Sequence, residues 1–448
     1  MNKNPVETRT DWFVSNFQQF ERSLNGESKS PLHIVRRDAI AKFAALGFPS
    51  TKEEEWRFTN VAPIARTQFV AAPQIGLAMV TLWDVERFTF GGLKCSRLVF
   101  VNGRYAPRLS ATLTLPKGAR AGSLGEALKS DGDLMGQYLA RQAAYNENAF
   151  TALNTAFLQD GAFLFVPDGI VVEQPVHLLF VSTEEETPFV SHPRTLVIVG
   201  RNSQLSIAES FVSLKKNVYF TNAVTEMMIG ESSVVEHDKL QAESERAYHV
   251  GTLHVHQSAR SVFTSNSLSF GGALVRNNVN TILDGEGIET TLNGLTLATG
   301  EQHIDNHTTI DHAKPHCASH ELYKSILDGK ARGVFNGKIF VRRDAQKTDA
   351  KQTNRTLLLS DDATIDTKPQ LEIFADDVKC THGATVGHLD EDQLFYLRTR
   401  GISLDSARDM LTFAFAGDVI NRVHVEPLRR QLDHLMHRHL QQGRLVQD

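Results

Sequence analysis

The sequence predicts a mainly β protein in which a parallel β-helix is flanked by N-terminal and C-terminal α-helical regions. Three observations carry this. Between about residues 162 and 398 short alternating segments such as Thr195–Val199, Leu205–Ile207 and Lys338–Val341 are separated by turn residues, among them Gly230, Gly251, Gly271-Gly272, Asp284-Gly285, Asp328-Gly329, Asn336-Gly337 and Asp361-Asp362. Strand and turn recur there only approximately, which favours a stacked solenoid over a sandwich or closed barrel. Helical periodicity is absent from that stretch and present on both sides of it.

The elements follow in chain order. Phe13, Phe17, Phe20 and Leu24 form one helical stripe and Val35, Ala39, Phe43 and Leu46 a second, which Gly47 and Pro49 end. A further helical stretch is expected over 123–157, where Ala, Leu, Gln and Glu dominate. Residues 1–160 are therefore read as a helical or mixed region, 161–398 as the β-helix and 399–448 as a C-terminal helical region. In the tail Ala407, Met410, Leu411, Ala414 and Phe415 make a stripe behind a capping box of Ser406 and Asp409. Pro427 opens a last helix with Leu428, Leu432, Leu435 and Met436 in phase, and Gly443 closes it. Such a helical pair either covers the last exposed rung of the solenoid or docks a partner.

Composition excludes several classes. With 448 residues, 41% of them apolar and 22% charged, the chain buries an ample core and is not disordered as a whole. Its 47 basic against 52 acidic residues give a net charge of −5 and no general basic surface for nucleic acid or acidic lipid. The three cysteines, Cys95, Cys317 and Cys380, are too few for a disulfide framework or a four-thiolate site. Residues Met1–Glu7 lack the apolar run of a signal peptide, and no run reaches the roughly 20 apolar residues that span a bilayer, so a cytoplasmic location is expected.

Asp376–Thr385 is the segment richest in chemistry. In an extended strand Cys380 and His382 share a face, and a thiolate beside an imidazole suits iron, zinc or an iron–sulfur cluster. Two ligands are half a site, so distant residues or a second chain must supply the rest; otherwise Cys380 is simply a small core residue beside a turn histidine. His303, His307, His312, His316 and His320 crowd a second segment, but Ile304 stands where a metalloprotease helix places its glutamate, and polar ladder or interface roles in turns compete with metal binding. Gly333–Ile339 falls one residue short of a phosphate loop and lacks the Ser or Thr after Lys338. Asp361, Asp362, Asp366, Asp376 and Asp377 fit a β-helix carbohydrate lyase or hydrolase, or solvated turns.

These residues resemble a known family, the SufB/SufD proteins of the SUF iron–sulfur cluster assembly machinery. The resemblance is carried by Val334–Ile339, Ala345–Asn354, Leu357–Ser360, Lys368–Ile373, Asp377–Thr385, Phe395–Ile402 and, upstream, Pro49–Asn60, so it spans nearly the whole chain and is loosest between about 65 and 150. The SufD branch is the more similar: Gly383 stands where the SufB branch is expected to carry glutamate, and a cysteine-rich N-terminal motif is missing. The resemblance implies a right-handed parallel β-helix that pairs with SufB, while the ATPase SufC docks on the C-terminal helices. It implies that His382 helps hold a transient cluster at the SufB–SufD interface, with Cys380 a weaker contributor, and that ATP is bound by SufC rather than by this chain. Ala407, Leu411 and Phe415 are then core positions of the helix presenting the SufC surface. A cysteine desulfurase and sulfur-transfer system acts indirectly, a reduced flavin is compatible with the complex, and the isolated chain can form a homodimer.

The function expected is thus a non-catalytic scaffold for cluster assembly and transfer. The alternatives are the aspartate-dependent β-helix lyase or hydrolase and a self-sufficient metalloprotein using His303, His307 and His312.

Overall fold

A computed structural model describes residues 10–24, 30–73 and 79–442; the Met1–Glu7 segment and Gly443, both used above, lie outside the described residues. The chain is a β-solenoid of about 8 turns flanked by helices at both ends of the sequence. Successive strands alternate between two sheets, so that strands adjacent in space are two apart in sequence and run parallel. In the first sheet Leu274–Leu283, His303–His312, Arg332–Val341 and Thr364–Ile373 stack in register, Leu274 facing His303, His303 facing Arg332 and Arg332 facing Thr364. In the second, Glu289–Ala298, Ala318–Leu327, Asp349–Leu358 and Lys379–Gly387 do the same.

The turns explain how coils stack without a legible repeat. Asn202, Ser232, Arg260, His316 and Lys347 each adopt a left-handed backbone, with φ between 51 and 63°. Each donates its N–H to a carbonyl one coil further on: Glu231, Ala259, Glu286, Gln346 and Asp377 respectively. One side chain of nearly any type tolerates this single position at modest cost, so the ladder leaves no residue signature.

Alternate strand residues point inward, where Phe180, Phe211, Val235, Phe263, Leu292 and Phe335 belong to one apolar core. Two glycines make room in it: a Cβ at Gly294 would lie 2.2 Å from the Tyr323 ring, and one at Gly337 2.2 Å from the Gln352 amide.

Both outer faces are covered. Phe13, Phe17, Phe43 and Phe150 from the N-terminal helices pack on Phe220, Val250 and Leu274 of the first sheet. In the helix Pro31–Leu46 the buried face is His33, Arg36, Ala39, Ile40 and Phe43, capped by Ser30 and ended by Gly47; Leu46, expected in the stripe, is exposed. The single helical stretch expected over 123–157 is three short helices, Leu124–Ser130, Gly132–Tyr138 and Ala149–Ala156, because Asp131 breaks the first pair and the chain then turns, with Ala140 left-handed, to bring its N–H groups onto buried Glu226. The N-terminal region also supplies a strand, Ser96–Val101, parallel to Val176–Ser182.

The C-terminal helices Leu404–Ile420 and Glu426–Gln442 lie along the outer face of the second sheet and leave the last rung uncovered. The cause is two neighbouring columns of outward apolar residues, Leu240, Leu268 and Leu295 in one and Leu297, Ile326 and Leu357 in the other, which receive Ala416, Val419, Ile420, Leu428, Leu432 and Met436. The buried face of the first helix is Ala407, Thr412, Ala416, Val419 and Ile420, shifted from the expected stripe: Met410 and Ala414 are exposed and Leu411 and Phe415 half-buried. Its cap is Ser403, which accepts from the Ser406 N–H, rather than Ser406 itself. In the second helix Leu428, Leu432 and Met436 are buried as expected.

Candidate functional site

The strands end at Gly387, and the helix Glu391–Thr399 begins four residues later. The last strand, Lys379–Gly387, pairs on one side with Asp349–Leu358 and has no strand on its other side. Its residues are exposed except for half-buried Cys380, and those of Thr364–Ile373, the last strand of the other sheet, are no more than half-buried up to exposed ends. On the preceding strands Arg332–Val341 and Asp349–Leu358 the inward residues are buried, so this end of the solenoid is open.

Cys380 and His382 do share a face, and it is the inner one. Their register partners Ala350 and Gln352 are both 1% exposed, and Cys380 packs with Ile339, Val341, Ala345 and Ala375 inside the open end. His382 is exposed and makes no hydrogen bond or ion pair with the described residues. Its imidazole therefore has both nitrogens available at the mouth. Burial, reinforced by the Asp349 carboxylate, pushes the Cys380 thiol up against the opposing effect of the Ala350 N–H. Cys380 is a thiol at neutral pH and becomes a ligand only by giving its proton to solvent or a base.

One rung below lies a polar pair that sequence reasoning passed over. Gln352 Nε2 donates to Glu321 Oε2 at 2.7 Å, while Gln352 Oε1 and Glu321 Oε1, both buried, have no partner. Burial pushes the Glu321 carboxyl up to about 7 against the bonds from Thr308 and Gln352. The available signal was spacing: Gln352 precedes His382 by one coil, so both fall in one inward column.

The histidine-rich segment is a strand, His303–His312, rather than turns, and it splits its histidines between two faces. His312 points inward, bonded to Ser319 Oγ at 2.9 Å, and burial pulls it down to about 4. His303 and His307 point outward and hold the Pro49–Asn60 segment. Thr59 Oγ1 bridges Asp305 and, at 2.9 Å, His303 Nε2; His307 lies 3.1 Å from Asp305 and 3.4 Å from Glu55. Arg276 bonds Asp305 at 2.7 Å and the Glu55 carbonyl at 2.8 Å, with its guanidinium 4.2 Å over the Trp56 ring. Although burial alone would raise it, Arg276, His307 and Thr59 hold the Asp305 carboxyl below the ordinary range. This is a docking clamp, and His303, His307 and His312 do not converge; among the described residues no three His, Cys, Asp or Glu side chains are placed to hold a metal ion.

The aspartates are likewise dispersed. Asp361 and Asp362 sit at one turn, Asp376 and Asp377 at the other, and Asp366 is paired with Arg332 at 2.6 Å on the strand between. Gly333–Ile339 lies inside a strand, not a loop before a helix. No helix among the described residues is long and apolar enough to cross a membrane. Ala407 is buried, and Phe415 covers the Lys324 ammonium, 4.3 Å from the ring centroid.

Residues 180–415 match the family described as SUF system FeS cluster assembly, SufBD core domain, and residues 7–178 match the SufBD protein N-terminal region. An iron–sulfur cluster assembly SufBD family protein of Synechocystis sp. is 36% identical over 417 residues, 91% of each chain. The iron–sulfur cluster assembly protein SufD of Escherichia coli is 34% identical over 414 residues, covering 91% of this chain and 92% of its own. The SufB protein of Bacillus subtilis is 28% identical over 311 residues, 68% of this chain and 64% of its own.

Proposed function

The chain belongs to the SufBD family of iron–sulfur cluster assembly proteins, and from that premise we propose that it is the SufD-type scaffold subunit of a cytoplasmic SufBCD complex. On this reading it catalyses no reaction itself. The cluster is cargo, built from delivered iron and sulfur and passed to apo-proteins. His382 contributes one imidazole ligand at the SufB–SufD interface, and SufB supplies the facing ligands that this chain lacks. Cys380 is secondary, since its raised pKa ties iron binding to loss of a proton.

The observation that carries the proposal is the uncovered last rung, with His382 exposed at its mouth. An unpaired parallel edge of nine residues is a pairing template, and SufB, with its own solenoid expected from the family, is the partner it suits. SufC binds ATP and docks on the helices Leu404–Ile420 and Glu426–Gln442, with Ala407, Leu411 and Phe415 as core positions of the first, which presents the docking surface. Rearrangement of SufC then opens or closes the shared site. Sulfur arrives from a cysteine desulfurase and its transfer partner, a reduced flavin joins the assembled complex, and the chain alone pairs with a second copy through the same rung.

Anaerobic reconstitution tests this. Wild type and His382→Ala are each loaded alone and with SufB and SufC, and iron and sulfide are measured. Cluster forming only in the complex, and falling on replacement of His382, is the expected result. Metal held by the isolated chain irrespective of His382 would place the site elsewhere.

A further inference from the structure

Beside His382, one rung further in, the solenoid holds a hydrogen-bond acceptor with nothing to accept. Gln352 is the register partner of His382 and is 1% exposed; residues so paired on parallel strands stand about 4.8 Å apart with their side chains on one face. The Gln352 amide is fixed from the interior side. Its Nε2 donates to Glu321 Oε2 at 2.7 Å, which leaves Oε1 buried without a partner among the described residues. Gly337 makes this placement possible, since a Cβ there would collide with Nε2 and Cδ of the amide. Buried carbonyl oxygens are nearly always paired, so an unpaired one that the structure holds in place calls for a donor.

His382 has the complementary deficit. It is exposed and makes no hydrogen bond with the described residues. A neutral imidazole that gives one nitrogen's lone pair to iron carries an N–H on the other. Ligating imidazoles regularly donate that N–H to a fixed oxygen, which sets the tautomer and the orientation of the ring. Few groups can receive it here. Cys380 and Ala384 flank His382 on the same face of its strand, and Pro369 continues the column of Gly337 on the opposite sheet, so none of the three offers a side-chain oxygen. Asn354 Oδ1 and Thr367 Oγ1 are also buried without partners, but their register neighbours are Ala384 and Phe335, which have no proton to donate.

We infer that Gln352 is the positioning residue for His382, its Oε1 accepting the imidazole N–H when the ring turns into the mouth with its other nitrogen on the cluster. This rests on the reading of His382 as a ligand. Glu321 acts one step further back, by holding Nε2 so that the oxygen of the amide is the atom left for the ring. The bond belongs to the loaded state, because in the isolated chain the ring stays in solvent.

The test uses the complex with SufB and SufC, reconstituted anaerobically with ¹⁵N-histidine in this chain alone. Pulsed EPR of the reduced cluster reads the coupling of the imidazole nitrogen remote from iron, and a ferrous chelator reads the rate of iron release. Gln352→Met removes the acceptor at similar volume; an altered remote-nitrogen coupling and iron release faster by about tenfold or more are expected. Gln352→Glu shares one proton with Glu321 and keeps an acceptor oxygen, so release stays slow while the coupling shifts. Should Gln352→Met fail to fold, Gln352→Glu decides by itself, and an unshifted coupling overturns the inference. A purely structural role would lower the melting temperature of Gln352→Met and leave coupling and release as in wild type, which also overturns it. If His382→Ala loses the cluster while Gln352→Met keeps wild-type coupling and release, this inference alone falls. If His382→Ala keeps the cluster, the ligand reading falls and takes the inference with it.

Discussion

The two ends of the solenoid are built on opposite principles. At the first, Leu124, Ala127, Met135 and Leu139 from short helices cover Phe163, Leu196 and Ile198 on the outer face of the first coils, and even charged groups are sealed in. Arg194 and Glu226, both fully buried, meet at 2.6 Å, and Glu226 also accepts the backbone N–H groups of Ala140, Gln142 and Ala143. At the last, a strand of nine residues carries its backbone edge, an imidazole and a half-buried thiol into solvent. An exposed edge is an aggregation hazard that proteins usually cover or charge. Here the C-terminal helices, long enough to cap it, lie elsewhere. Burial is densest at the first end, and the last rung leaves its edge open, which is the edge the proposed pairing uses.

The contrast can be broken most severely at the closed end. Arg194→Ala leaves Glu226 buried without its counter-charge, and a loss of about 3–5 kcal/mol in unfolding free energy is expected. Urea denaturation of the isolated chain measures it. A loss below about 1 kcal/mol, the scale of an exposed pair, would mean that the first end is not sealed.

A smaller effect is expected two rungs inside the open end. Glu321 has its folded-state pKa raised to about 7, so its proton is bound more tightly in the native than in the unfolded chain. Its contribution to stability is complete below the unfolded value near 4.5 and is lost as pH rises to about 7. The loss amounts to about 3 kcal/mol. Glu321→Gln keeps the bond to Gln352 without a titrating group, and should flatten the decline in melting temperature between those pH values. An unchanged decline would assign it to Asp238, which burial also pushes up to about 7.

How much of this was legible in the sequence follows from where periodicity survives. The β-helix was readable because alternation and turn residues mark every strand, and the stripe Phe13–Phe17 was readable because both rings are buried on one helix face. Leu411 and Phe415 misled because the tail helix has two apolar sides: the one that packs is Ala416, Val419 and Ile420, chosen by two apolar columns on the second sheet, which no local window contains. Cys380 and His382 were found because two chemically active residues alternate in one strand. Gln352 and Glu321 were not, because they join that site only through coil register, set by a turn position that accepts Asn, Ser, Arg, His or Lys. The histidine-rich segment attracted a metal reading from composition alone, whereas strand alternation sends His303 and His307 outward and His312 inward.

The smallest effect on the isolated chain is expected where the functional consequence is greatest. Val386 lies on the inner face of the last strand, two positions beyond Ala384, and is 48% exposed. Val386→Lys sets an ammonium at the mouth that a second solenoid covers in the proposed pairing. In the isolated chain the new charge stays in water, so the unfolding free energy should change by no more than about 0.5 kcal/mol. In the complex the same charge must be desolvated without a partner, which costs far more than one rim contact returns. Co-purification with SufB, followed by sedimentation to measure the mass of the complex, should therefore show pairing lost while the fold persists. Pairing retained at wild-type affinity would mean that the partner docks away from the open rung, and the asymmetry between the two ends would then need another cause.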